Sequence, residues 1–182
     1  MENKVIPAPS ETCSLSLTLD GNFRHTKQIK LGTGLKTSRD FYLAFKADGY
    51  TMQHWAEYMI RQKSFSVYSE EITANLELFH VGELGFKDKV TFLEIYKRII
   101  EIGKKPCPSE VGPQLRRQFK NQPLNDRILV IMEPIKDRFG NPRIFVIAHT
   151  RVGPWLTSCK VRSEEHTSEL RHSAKSRMPS SA

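Results

Sequence analysis

Two periods run through the chain, and each predicts elements. Residues 14–19 alternate strictly, with Leu15, Leu17 and Leu19 on one face, and predict a short half-buried strand that Asp20-Gly21-Asn22 turns. Residues 72–81 alternate again, with Ile72, Ala74, Leu76, Leu78 and His80 facing one way, and predict a strand before a loop over 82–89. From Ser38 the apolar spacing becomes helical. Phe41, Leu43, Ala44 and Phe45 share a face, Thr37 or Ser38 stands at the cap, and Asp40 lies in the first turn, where the helix dipole favours a carboxylate. Asp48-Gly49 closes this helix. A second, over 52–61, turns Trp55, Met59 and Ile60 toward a core, and the pair predicts a helical hairpin. The clearest helix opens with the capping box Thr91-x-x-Glu94, carries Phe92, Ile95, Tyr96, Ile99, Ile100 and Ile102, and stops at Gly103. Residues 113–119 predict one more short helix, with Pro113 in its first turn.

The remainder reads as β. Residues 127–132 are almost continuously apolar, as a strand covered on both faces would be. Residues 137–141, containing Gly140-Asn141, predict a hairpin loop, 142–149 its return strand, 151–154 a turn and 155–161 a third strand. The fold class expected is α+β: a helical hairpin and a capped helix packed on an antiparallel β-meander. It occupies a single domain over 13–161, with a helical half at 23–70 and the helix plus meander at 72–161, after a flexible arm over 1–12. The last strand would leave an unfinished sheet edge, an aggregation risk.

From Arg162 onward the letters RSEEHTSELRHSAKSRMPSSA are serine-rich and aperiodic, as a disordered tail would be. They also carry a sharper reading. Residues 162–170 are what AGA TCG GAA GAG CAC ACG TCT GAA CTC encodes, the start of a common sequencing-library adapter. Residues 176–182 are what its far end, TCT CGT ATG CCG TCT TCT GCT, encodes. The expectation is that 162–182 is adapter-derived and that the natural chain is truncated at Val161. The whole chain holds 28 Lys+Arg and 20 Asp+Glu, a net +8; without the segment's four basic and three acidic residues, the first 161 residues still carry +7. No apolar run approaches the roughly 18–20 residues of a membrane helix. The three cysteines are too few and too scattered for a disulfide scaffold. A basic cytoplasmic protein without membrane association is expected.

Candidate chemistry is sparse. The segment KLGTGLKT (30–37) departs from a phosphate loop because Leu35 separates Gly34 from Lys36. An anion site on Gly32, Gly34, Lys36 and Thr37, where glycine-rich backbone feeds a helix N-terminus, competes with a flexible connection bearing a solvated lysine. Cys13, Cys107 and Cys159 lack paired spacing and there is no HExxH, so neither metal nor cofactor is expected. Cys107, between two prolines, reads as a packing residue more readily than as a nucleophile, since no base stands nearby. Glu133 adjoins an apolar strand and needs a partner, for which Arg116 is the candidate. That predicts an ion pair pinning helix to sheet. The catalytic alternative uses Glu110 or Glu133 as general base with Arg116 holding a small anionic substrate. The basic surplus (Arg24, Lys27, Lys30, Lys36, Lys87, Lys89, Lys97, Lys104, Lys105, Arg116, Arg117 and Lys120) interleaves with Phe23, Phe86 and Phe119, as a surface for single-stranded nucleic acid would. A non-catalytic binding protein is the leading expectation, with nucleic acid the first partner and another protein the second; enzymatic activity stays open.

The segments VGELGF (81–86), FLEIYKRIIEIG (92–103), CPSEVGPQLRRQFKNQP (107–123) and VIMEPI (130–135) together resemble a family of uncharacterised bacterial proteins, and residues 29–60 look like the same family. The resemblance covers most of 29–155 and implies no activity, since none is assigned to the family. It implies that members continue beyond this point, and it singles out Cys107, Glu110, Arg116, Gln122 and Glu133 as polar or reactive positions. Arg117 stands where the family pattern usually has leucine, which implies a different solvent exposure for that helix.

Overall fold

A computed structural model describes residues 4–6, 16–17, 26–87 and 90–161. Most of the arm over 1–12, most of the strand expected over 14–19, and the segment 162–182 lie outside the described residues. The elements in chain order are β1 (Lys4–Ile6), β2 (Ser16–Leu17), β3 (Thr26–Leu31), α1 (Ser38–Ala47), β4 (Thr51–Met52), α2 (His54–Ile60), β5 (Ser66–Tyr68) and β6 (Ile72–Phe79). After a 3-10 turn at Val81–Leu84 come α3 (Phe92–Glu101), α4 (Val111–Gln118), β7 (Arg127–Val130), β8 (Ile135–Lys136), β9 (Pro142–Thr150) and β10 (Gly153–Lys160). The protein is mixed α+β, and no helix among the described residues is long and apolar enough to cross a membrane.

The expected meander is present: β7 and β10 flank β9, both antiparallel to it. It is the centre of a larger mixed sheet ordered β3-β6-β2-β7-β9-β10-β4, with β8 also on β9. A separate parallel pair joins β1 to β5. Two of the helix starts argued from sequence, those of α1 and α3, are capping boxes. The Thr37 hydroxyl accepts from Asp40 N while the Asp40 carboxylate accepts from Thr37 N, and Thr91 and Glu94 repeat the arrangement.

Four expectations need correction. The basic stretch after Phe23 contains β3; only Ile29 and Leu31 point inward there, too short an alternation to stand out. The outer edge of β10 is covered in part, because β4 pairs parallel with Trp155 and Leu156, and Gln53 N continues onto Leu156 O at 2.8 Å. In α3, Phe92, Ile95 and Ile99 are buried, whereas Ile100 is 53% exposed. Trp55 stays half-buried on the surface of α2 instead of entering the core.

The interior is one apolar cluster running from α1 through β5 and β6 to β9. Phe65 links its halves, meeting Phe41 edge-on at 5.6 Å and Phe145 at 6.1 Å. On β9, Arg143–Ala148 are buried without a break, which explains its apolar sequence. Helix α4 seats against β9 through Gly112, where an added Cβ would lie 2.5 Å from the Phe145 ring.

Candidate functional site

Helix α4 presents Glu110, Gln114 and Gln118 at successive four-residue steps, hence on one face. That face docks on the open edge of β3. The Gln118 amide accepts from Lys30 N and donates to Lys30 O, each at 2.8 Å, so a side chain stands in for a neighbouring strand. Gln114 Nε2 donates to Thr33 Oγ1 and to Glu110. The Glu110 carboxylate accepts from Gly32 N and Tyr68 N, each at 2.9 Å. Burial pushes the Glu110 carboxyl up, against the pull of these three donors. Glu110 is therefore a buried clamp between β3, β5 and α4.

The chain's own carboxylates occupy three of the backbone amides expected to hold an anion. Gly32 N is taken by Glu110, and Lys36 N and Thr37 N both donate to Asp40. The bonds from Lys36 N and Thr37 N, led by the one from Thr37, hold the Asp40 carboxyl below its usual range. Gly34 shares the loop without adding to a cradle: a Cβ there would meet nothing.

Arg116 does not meet Glu133. It is fully buried, bonds the Gln122 side chain and the Phe119 carbonyl, and lies 5.0 Å from the Tyr50 ring centre. Its Nε has no partner among the described residues. Burial lowers its pKa, countered by Tyr50 and by the buried Asp126. Gln122 in turn bonds Asp126 and Ile147 O, and His149 Nδ1 donates to Gln122 O at 2.6 Å. This network braces the turn before β7, where Asn125 takes the left-handed conformation. Glu133 is exposed and lines a groove with Tyr96. The three proposed catalytic side chains thus face three separate surroundings, and the convergence an active site would need is not met. Cys107 is a buried packing residue, its N–H bonded to Ile131 O. Arg117 bonds Asp48 at 2.6 Å, tying α4 to the end of α1. Among the described residues no three His, Cys, Asp or Glu side chains are placed to hold a metal.

The expected basic and aromatic surface is also rearranged. Phe119 is buried under Lys27, Phe86 is half-buried, and Phe23 and Arg24 lie outside the described residues. Lys30 pairs with Glu71, Lys104 with Glu77 and Arg117 with Asp48, so three of those charges have acidic partners.

A different cluster forms at the β8–β9 hairpin. Asp137, buried, accepts from Arg143 Nε at 2.8 Å, from Phe139 N, and from the backbone and side chain of Asn141. Burial alone would raise the Asp137 carboxyl; these donors, Arg143 first, outweigh it and hold it at about 2. The loop tip is thereby fixed, and it presents Phe139 at 68% exposure. The Phe139 ring meets Trp55 at 6.1 Å, the Arg138 guanidinium lies 4.8 Å from Phe139 and 5.5 Å from Trp55, and the buried Arg143 lies 4.3 Å from Trp55. Lys160 stands opposite Arg143 in register and so shares its face. Sequence reasoning missed this cluster because the loop was read for its turn. An aromatic flanked by Arg and Gly inside a polar hairpin loop was the available signal. Comparison of the chain with protein-family profiles, with curated proteins and with solved structures returns no match.

Proposed function

We propose that this protein is a non-catalytic, cytoplasmic binding protein for single-stranded nucleic acid, and that bases stack at the tip of the β8–β9 hairpin. The observation that supports this reading is the exposed Phe139 ring on a rigid loop, with Trp55 and Arg138 against it. A base can stack on an aromatic face or a guanidinium plane, and sequence-tolerant binding needs little else beyond cations for the phosphates. Arg138 and Lys160 supply those, both exposed, while the only carboxylate in the loop, Asp137, is buried and committed to Arg143. The loop is ordered by its own bonds, so little ordering entropy is lost on binding.

The test is fluorescence anisotropy with labelled oligo(U) and oligo(dT) at several salt concentrations. Affinity is expected to fall steadily with salt, because counterions leave the phosphates. Phe139→Ala should weaken binding roughly five- to a hundredfold, the loss of a stacked base worth about 1–3 kcal/mol. Arg138→Ala should reduce the salt slope by about one. Absence of binding, salt-independent retention, or a Phe139→Ala protein that binds like the parent would each overturn the proposal.

A further inference from the structure

Strand alternation places a second surface on the opposite side of the same hairpin. Pro142 and Val161 neighbour Arg143 and Lys160 along β9 and after β10, so they face away from the Trp55 cluster. There they line a groove of about 420 Å³ with Phe92, Leu93, Tyr96, Glu133 and Pro134. Its composition is lopsided. Five of these side chains are aliphatic, proline or phenylalanine, Tyr96 adds a phenol, and one is a carboxylate. No lysine, arginine or histidine lines it. In a chain of net charge +8, Glu133 has no hydrogen bond or ion pair among the described residues. The rings beside it are paired, Phe92 and Tyr96 lying 5.8 Å apart and tilted by 46°. Leu93 remains 42% exposed at the rim.

We propose that this groove binds an organic ammonium ion carried on an apolar body, with Glu133 as counter-ion and the Tyr96 and Phe92 rings packing against the cation and its hydrocarbon. The occupant follows from charge and shape together. An anion would meet an unneutralised carboxylate, and a purely apolar ligand would leave that carboxylate partly desolvated without a partner. An ammonium gains from the carboxylate and from the ring quadrupoles at once. The Tyr96 hydroxyl, whose pKa burial raises first and the Glu133 charge second, stays neutral beside them and can hydrogen-bond without competing for the cation. This inference is independent of the nucleic-acid reading, since it uses no residue of the Trp55 cluster.

The probe is 2-phenylethylammonium, compared at pH 7 with 2-phenylethanol, which has the same shape without the charge. Both are titrated into the full chain and followed by backbone amide NMR shifts of Leu93, Tyr96 and Glu133. The expected result is a saturating shift of these amides with the ammonium, and about tenfold weaker response to the alcohol. Glu133→Gln, a substitution at an exposed position that should leave the fold intact, is expected to remove most of the preference for the ammonium, leaving only the part that the rings supply. Equal binding of ammonium and alcohol by the parent protein, shifts located elsewhere, no shifts at all, or a charge preference undiminished in Glu133→Gln would overturn the proposal.

Discussion

Alanine is normally preferred over glycine inside a helix by up to about 1 kcal/mol. Gly112 inverts that preference, because its Cβ would lie 2.5 Å from the Phe145 ring. Overpacking of a close-packed core costs about 1–3 kcal/mol, so Gly112→Ala should lower the urea midpoint of unfolding despite the better helix former. Gly32→Ala should be worse. There the Cβ would fall 1.9 Å from the Glu70 carbonyl oxygen, a backbone atom that cannot rotate aside, and the residue has φ +66°. Denaturation of the two variants side by side checks the order; an unchanged Gly112→Ala midpoint would show that α4 can lift off β9. Asp137 sets a pH dependence. Its carboxyl is held at about 2 in the folded protein against 3.8 ordinarily, so its contribution is complete above pH 3.8 and is lost as pH falls through about 2. Asp137→Asn should therefore be less stable than the parent near neutral pH, with the gap closing between pH 4 and pH 2 in a series of denaturation curves.

At the scale of elements, α4 acts as an edge strand's substitute partner. Gln118→Ala removes both bonds to Lys30, and the Lys30 amide should then exchange with solvent markedly faster, while the Val146 and Ile147 amides in the sheet centre keep their protection. Hydrogen exchange read residue by residue decides it; equal exchange in both proteins would mean that the edge is protected by something other than this amide. What the sequence made legible at this scale was local. The boxes at Thr37 and Thr91 join residues three apart, and the helix starts could be placed from them. The alternation over 72–79 and the apolar run over 144–148 likewise report on burial directly. What stayed hidden was long-range. Glu110 is a candidate general base in the sequence and a buried clamp in the fold, and its partners Gly32 and Tyr68 are 78 and 42 positions away, where no spacing rule joins them. The pairing of Glu133 with Arg116 failed for the same reason: nearness to an apolar strand does not say which side of the sheet a carboxylate faces. The hairpin tip escaped notice because residues 137–141 read as a turn, and only the fold brings Trp55 against Phe139.

Across the whole molecule, the question is whether helices α1 and α2 and the β7–β10 meander stand or fall together. Phe65 answers it, since its ring is the contact shared by Phe41 of α1 and Phe145 of β9. All three rings are essentially inaccessible to solvent, and the apolar cluster around them has no gap between the halves. Phe65→Ala would leave a cavity with lining on both sides, at a cost of about 3–5 kcal/mol. Such a loss is a large share of the roughly 5–15 kcal/mol that holds an ordinary domain folded. Because the cavity borders both halves, neither should survive alone. Far-UV circular dichroism reports chiefly on the helices, and tryptophan fluorescence on Trp55 of α2 and Trp155 of β10. Their unfolding curves should coincide in the parent and shift together in Phe65→Ala. Separation of the two curves in the variant would show that Phe65 bridges two units that fold on their own, and the rigid platform beneath Phe139 would then depend on the sheet alone.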